Sequence, residues 1–144
     1  MAAEYSNVAV QTVANNGNIL FANGNRACRK GFIQHRDDSG IFFVNGAGCK
    51  SIYRVTFDAN IAISAAADGG VVEPISIALT INGEELGNAF ATVTPAAIGD
   101  FFNVSVTTFV EIPCSCCVTV SAENASATSA IDVQNANIIF DRVA

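Results

Sequence analysis

The stretch PISIALTINGEEL (residues 74–86) decides the fold of this chain. Every second residue of its first half is a branched apolar one: Ile75, Ile77, Leu79 and Ile81. A period of two sends alternate side chains to opposite faces of a strand, so this pattern predicts a β-strand with one buried face. Asn82 and Gly83 follow, a dipeptide that readily adopts the positive φ angles of a tight hairpin turn. The stretch therefore predicts a strand that ends in a hairpin, with Glu84 and Glu85 in a solvent-exposed loop.

The same alternation recurs along the chain, between turn signals rich in Gly, Asn and Asp. It is cleanest in KSIYRVTFDA (residues 50–59), where Tyr53, Val55 and Phe57 share the predicted core face. In FFNVSVTTFVEIP (residues 101–113) Phe109 and Val110 shift the phase of the alternation, which predicts a β-bulge near Thr107 and Thr108.

No stretch of about 11 residues keeps a helical period, and Val, Ile, Thr and Phe are abundant. We therefore expect an all-β, single-domain sandwich of about ten short antiparallel strands. Residues 1–12 are expected to be an N-terminal arm or first strand, and residues 13–144 to be the folded domain.

The composition indicates an oligomer. The chain of 144 residues is 51% hydrophobic and only 14% charged, whereas soluble domains average about 25% charged residues. Such a chain has little charge to cover its surface, so we expect it to bury apolar area against other copies of itself. Its net charge of −6 argues against direct nucleic-acid binding, which needs a basic face.

The N-terminal residues MAAEYSNVAVQ lack a basic segment followed by an apolar run, so no signal peptide is expected. No stretch of about 18 apolar residues occurs either, which predicts no membrane-spanning helix and no membrane partner. We therefore expect the chain to be synthesised in a cytoplasm.

The sequence shows no catalytic apparatus. The single histidine, His35, lies beside a turn, and Asp37 and Asp38 near it are more simply explained as solvated loop charges than as catalytic partners. No calcium-loop array and no phosphate-binding loop is present. We therefore expect no enzyme activity, no metal site and no cofactor.

Two of the five cysteines flank a predicted hairpin. If the pairing is symmetric about the loop centre between Asp38 and Ser39, Cys28 lies opposite Cys49. A disulfide between them is geometrically allowed, and two reduced, half-buried thiols are the alternative in a reducing cytoplasm.

The other three cysteines form the run Cys114-Ser115-Cys116-Cys117 after a proline. The run lacks the second paired knuckle of a zinc site. A disulfide to an earlier cysteine, a bridge between subunits and burial as small apolar side chains all remain open.

Four segments, in this order, resemble the tumour-necrosis-factor-like and complement-type globular head domains. They are SIYRVTFDANIAI, PISIALTINGEEL, FNVSVTTFVEIPCSCCVTVSAEN and ANIIFDRVA, and the resemblance covers roughly residues 18–144. Where that family often has Gly-Asp before a late strand, this chain has Cys114 to Cys116.

The resemblance implies a jelly roll that assembles as a trimer, with apolar and aromatic residues at the threefold axis. The axis candidates are Tyr53, Phe57, Phe102, Val104, Phe140 and Val143.

The chain also resembles small standalone virion proteins of tailed phages of gut bacteria, which implies a capsid decoration or head-fibre protein located in the virion. Residues 1–11 would then be a docking arm to capsid or other virion proteins, with Tyr5, Val8 and Val10 as its candidates. The alternative is a receptor- or glycan-binding trimeric head of a bacterial surface filament, although the chain has no Trp to stack on a sugar.

Overall fold

The computed structural model describes residues 2–22, 32–46, 50–65, 72–114 and 116–144. Ten strands form in these ranges: β1 (Ala2–Asn7), β2 (Gln11–Val13), β3 (Ile33–His35), β4 (Phe42–Asn45), β5 (Ser51–Ile63), β6 (Ile75–Ile81), β7 (Glu84–Val93), β8 (Phe102–Ile112), β9 (Cys117–Asn124) and β10 (Ile131–Arg142). They make two antiparallel sheets, which confirms the expected all-β sandwich. Sheet A has the order β1-β10-β5-β8, with β2 also paired to β10, and sheet B has the order β3-β4-β9-β6-β7.

The core lies between the inner faces of the two sheets. Tyr53, Val55 and Phe57 are buried there, as the alternation of β5 predicts. An aromatic cluster joins the sheets, because Phe42 of sheet B lies 5.0 Å from Phe140 of sheet A between ring centroids. The period of two thus sorts each strand into a core face and an outer face.

The predicted hairpin after β6 is confirmed. Asn82 and Gly83 have φ angles of 52° and 84°, and Ile81 pairs with Glu84 across the turn. These angles suit a two-residue turn that matches strand twist. Glu84 and Glu85 are exposed to solvent, as predicted, but the predicted loop was wrong, because β7 begins directly after the turn and includes both.

The hairpin of β3 and β4 has the predicted register. Ile33 pairs with Val44 and His35 with Phe42, so the pairing is symmetric about the loop centre, as the sequence indicated. Cys28 and Cys49, the proposed disulfide partners, lie outside the described residues.

The predicted bulge in β8 was wrong. Strands β5 and β8 pair from Ser51–Ile112 to Ile61–Phe102 in one unbroken register. Phe109 is simply an apolar residue on the outer face of its strand, between inward-facing Thr108 and Val110. An aromatic residue that faces outward needs its own explanation.

Candidate assembly surface

The outer face of sheet A is built from cross-strand rows. Asp141, Arg54 and Phe109 form one row across β10, β5 and β8. The next row consists of Ile139 on β10, Thr56 on β5 and Thr107 on β8. Because side chains in one row stand about 5 Å apart, this face presents a continuous surface rather than isolated groups.

The apolar part of this face surrounds Phe109, whose side chain is 64% exposed. With Ile52, Glu111 and Val143 it lines a depression of about 460 Å³, which we call the Phe109 depression. A backbone hydrogen bond joins two of the lining residues, since the Val143 amide donates to the Ile52 carbonyl over 2.9 Å. Apolar side chains from β5, β8 and the C-terminal segment thus meet at one place.

Two ion pairs border the Phe109 depression. Arg54 Nη2 lies 2.7 Å from Asp141 Oδ2, and Lys50 Nζ lies 2.8 Å from Glu111 Oε1. The hydrogen bond and charge of Glu111 raise the pKa of Lys50 above its ordinary value of 10.5. Exposed pairs of this kind add little stability in water. An apolar centre with a paired polar rim has the anatomy of a protein–protein interface.

Most other side chains on the outer face of sheet A are polar, although Ile139 lies in the row of Thr56 and Thr107. Asn103 Nδ2 donates to Asp58 Oδ1 over 2.8 Å, and the Thr107 hydroxyl donates to that of Thr56 over 3.3 Å. These groups satisfy each other within the chain. The strongly exposed apolar side chains of this face, Phe109 and Val143, therefore lie together at one end of it.

The structure divides the six predicted axis residues. Tyr53, Phe57, Val104 and Phe140 are buried within the single chain, with at most 4% of their surface exposed, so a second chain has almost nothing left to cover. Phe102 and Val143 are 42% and 45% exposed and remain available for contact.

Sequence reasoning placed Ile52 on the face of its strand opposite the core, but it did not identify Ile52 or Phe109 as residues of a candidate site. The available signal was an aromatic residue on the otherwise polar face of β8, with Ser105 and Thr107 before it and Glu111 after it. That residue was instead attributed to a change of phase.

The candidate docking arm is also divided. Tyr5 lies in β1 opposite Ile138 and is 4% exposed, within the core. Val8 and Val10 lie between β1 and β2 and are 74% and 59% exposed. The accessible part of the N-terminal segment is thus the turn that carries these two valines.

His35 takes part in packing. Its ring stacks on Phe42 at 4.4 Å and lies 4.9 Å from the ring of Tyr5. Its Nε2 lies 2.7 Å from the Ser39 carbonyl oxygen, which only accepts hydrogen bonds, so Nε2 carries the proton. The geometry assigns this histidine to an aromatic cluster at the edge of the core.

Cys114, Cys116 and Cys117 are exposed free thiols, which excludes burial as small apolar side chains. Across the part of the chain that the structure describes, no group of three His, Cys, Asp or Glu side chains has the arrangement of a metal site. In the same described ranges, no helix is long and apolar enough to cross a membrane.

Comparisons with known proteins define the fold. No protein-family model matches the chain, and no curated protein matches it. Among solved structures, the Eiger TNF of S. frugiperda superposes with a TM-score of 0.65 at 12% identity, over 100% of this chain and 92% of that one. The globular domain of zebrafish complement 1qA superposes with a TM-score of 0.58 at 8% identity, over 99% of this chain and 94% of the other. The chain is therefore a jelly roll with the fold of TNF and C1q globular domains, which confirms the expected architecture.

Proposed function

We propose that this chain is a structural protein that assembles as a homotrimer and decorates, or projects from, a bacteriophage particle. The observation that carries the self-assembly is the Phe109 depression on the outer face of sheet A. The shared fold with TNF and C1q domains supports threefold assembly, and the resemblance to phage virion proteins supports the particle role.

The Phe109 depression has the features of a surface that another copy covers. Burial of one Phe side chain contributes about 1.5–3 kcal/mol, and a trimer would bury three such side chains together with their neighbours Ile52 and Val143. The rim pairs Lys50–Glu111 and Arg54–Asp141 place both signs of charge beside the apolar centre. A surface with both signs of charge beside an apolar centre can be complementary to a surface of a neighbouring copy.

The proposed contact with the particle uses the turn between β1 and β2. Val8 and Val10 protrude there, while β1 itself is paired to β10 and contributes to the core. Apolar side chains exposed on a turn next to a rigid strand suit a short docking contact.

Native mass measurement with one charged substitution tests the assembly. The wild type should have three times the 14.9 kDa mass of the chain, and Phe109→Asp should convert it to monomer because a carboxylate would have to be desolvated at the interface. Phe90→Asp is the matched control, since Phe90 is an exposed aromatic on the outer face of sheet B. A monomeric wild type, or an unchanged trimer in Phe109→Asp, would overturn the proposal.

Particle binding tests the virion role separately. Truncation of the N-terminus would remove Tyr5 from the core, so point substitutions are the better probe. Val8→Asp with Val10→Asp should abolish co-sedimentation with phage particles that lack this protein, and should leave the native mass at that of the trimer. Retained co-sedimentation by this double variant would refute the docking turn.

A further inference from the structure

Three exposed thiols lie within four residues: Cys114 and Cys116 in the turn between β8 and β9, and Cys117 at the first position of β9. None of the three is in a disulfide. Exposed thiols are open to oxidation and exchange, so disulfide chemistry is possible at these three positions.

Backbone contacts from both sheets hold the turn in place. The Gly46 amide donates to the Cys116 carbonyl over 2.9 Å, and the Lys50 amide donates to Cys114 Sγ over 3.0 Å. A Cβ at Gly46 would lie 2.8 Å from the Pro113 carbonyl oxygen, so the chain after β4 packs tightly against the turn. Cys114 Sγ and the backbone of Cys116 are therefore held against the segments that follow β4 and precede β5.

Two of the thiols lie on different sides of the sandwich. Cys114 contacts Lys50, directly before β5, and so lies on the side of sheet A. Cys117 opens β9, opposite Asn45 of β4, and precedes inward-facing Val118, so it lies on the outer face of sheet B. One protomer thus presents two thiols in two directions at the same end.

We propose that Cys114 of one protomer forms a disulfide with Cys117 of the next, so that three such bonds close the trimer covalently. This inference rests on the proposed homotrimer. A cysteine that pairs with its own copy requires a twofold axis, whereas a ring of three has head-to-tail contacts that join different surfaces of neighbouring chains. A threefold ring therefore needs two different cysteines per chain, and Cys116 is not required.

The position of the turn is continuous with the proposed assembly surface. Phe109 and Glu111 lie on the outer face of β8, which leads directly into Cys114. Lys50 pairs with Glu111 at the rim of the Phe109 depression and also holds Cys114 Sγ through its amide. A neighbour that covers the depression would bring its own surface close to this thiol.

The bond forms by oxidation of two thiols, which lose two protons and two electrons to give one S–S bond. Oxidised glutathione supplies the matching half-reaction, because it accepts two electrons and two protons to give two thiols. A reducing medium keeps the trimer non-covalent, and an oxidising medium closes the three bonds.

The test combines native mass with non-reducing denaturing gels. Reduced protein is first shown to be trimeric by native mass and is then incubated with oxidised glutathione. Wild type and the matched control Cys116→Ser should both give a covalent trimer band. Cys114→Ser and Cys117→Ser should each lose that band, and peptide mapping of the wild type should find the Cys114–Cys117 linkage between chains.

The possible failures are distinguishable. A monomeric native mass for the reduced protein would overturn the proposed trimer itself. A native trimer that stays monomeric on the non-reducing gel would overturn only the disulfide, as would a Cys116–Cys117 or Cys114–Cys114 bond in the peptide map. A covalent trimer that persists in Cys117→Ser would refute the assigned pair. The same experiment in a background with Cys28→Ser and Cys49→Ser should still give the covalent trimer, and its loss there would also count against the pair.

Discussion

The outer faces of the two sheets expose aromatic residues in different arrangements. On sheet B, Phe43 lies on β4 and Phe90 on β7, with β9 and β6 between these strands. On sheet A, Phe109 is joined by Ile52 and Val143 around one depression. Single exposed apolar side chains are normal on soluble proteins, whereas contiguous ones mark contact surfaces.

On the outer face of sheet B, neighbouring side chains cover the small residues of β6. Thr80 lies between Ser121 and Glu85 in one row and is 1% exposed. Ala78 lies between Glu123 and Phe90 in the next row and is fully buried. The sequence predicted one buried face for β6, but both faces are covered at its centre. Side chains of the same chain therefore cover much of the outer face of sheet B. The outer face of sheet A keeps an exposed apolar area that another chain can cover.

The largest expected difference in the free energy of unfolding is between a substitution on the inner face of sheet A and one on its outer face. Phe57→Ala should lower the free energy of unfolding by about 3–5 kcal/mol at every protein concentration, because it opens a cavity in the core. Phe109→Ala should act through assembly, so its unfolding midpoint should depend less on protein concentration than that of the wild type. Denaturant unfolding over a range of concentrations measures both. If Phe109→Ala destabilised the chain as Phe57→Ala does at all concentrations, Phe109 would be a core residue.

A smaller difference separates two hydroxyl pairs. Thr80 and Ser121 share a buried hydrogen bond on sheet B, so Thr80→Val should lower stability by about 1–3 kcal/mol because the Ser121 hydroxyl loses its partner. The matched change on sheet A, Thr107→Val, removes an exposed bond and should stay within about 0.5 kcal/mol. The double variant Thr80→Val with Ser121→Ala should recover most of the loss. Equal effects of the two single variants in urea titration would contradict the difference in burial.

The smallest expected effect is a pH dependence on sheet B. Burial raises the pKa of Glu123 above its ordinary value of 4.5, and the hydrogen bond and charge of Glu85 raise it further. The folded chain therefore holds this proton more tightly than the unfolded chain, so stability should fall as pH rises from 4.5 through the raised pKa. Glu123→Gln should remove that slope in thermal melts across this range. An unchanged slope would show that Glu123 does not carry it.

Glu73 provides a control of opposite sign. Hydrogen bonds from the Ser129 and Thr128 hydroxyls lower its pKa below 4.5, so its contribution to stability is present above 4.5 and is lost as pH falls through the lowered pKa. Glu73→Gln should therefore lower the melting temperature by a constant amount above pH 4.5 and remove the slope on the acid side, where the wild type loses this contribution. A slope that disappeared above pH 4.5 would contradict the assignment of the two carboxyl groups.

Local patterns predicted local structure well. The Asn82-Gly83 turn and the register of β3 with β4 are confirmed, because both depend on residues close together in sequence. The prediction that Tyr53, Val55 and Phe57 share the core face of β5 is confirmed for the same reason. The bulge predicted near Thr107 and Thr108 was wrong, because a strand pattern cannot distinguish a change of phase from an apolar residue on the outer face of a regular strand.

The sequence by itself determined the all-β class, the alternating faces and the tight turns, since these follow from side-chain period and backbone preference. Only the tertiary structure decided which apolar residues remain uncovered. Tyr53 and Phe102 were equal candidates in the sequence, yet one is 1% and the other 42% exposed. Burial depends on strands far away in the chain, such as β10 beside β5, and no local pattern contains that information.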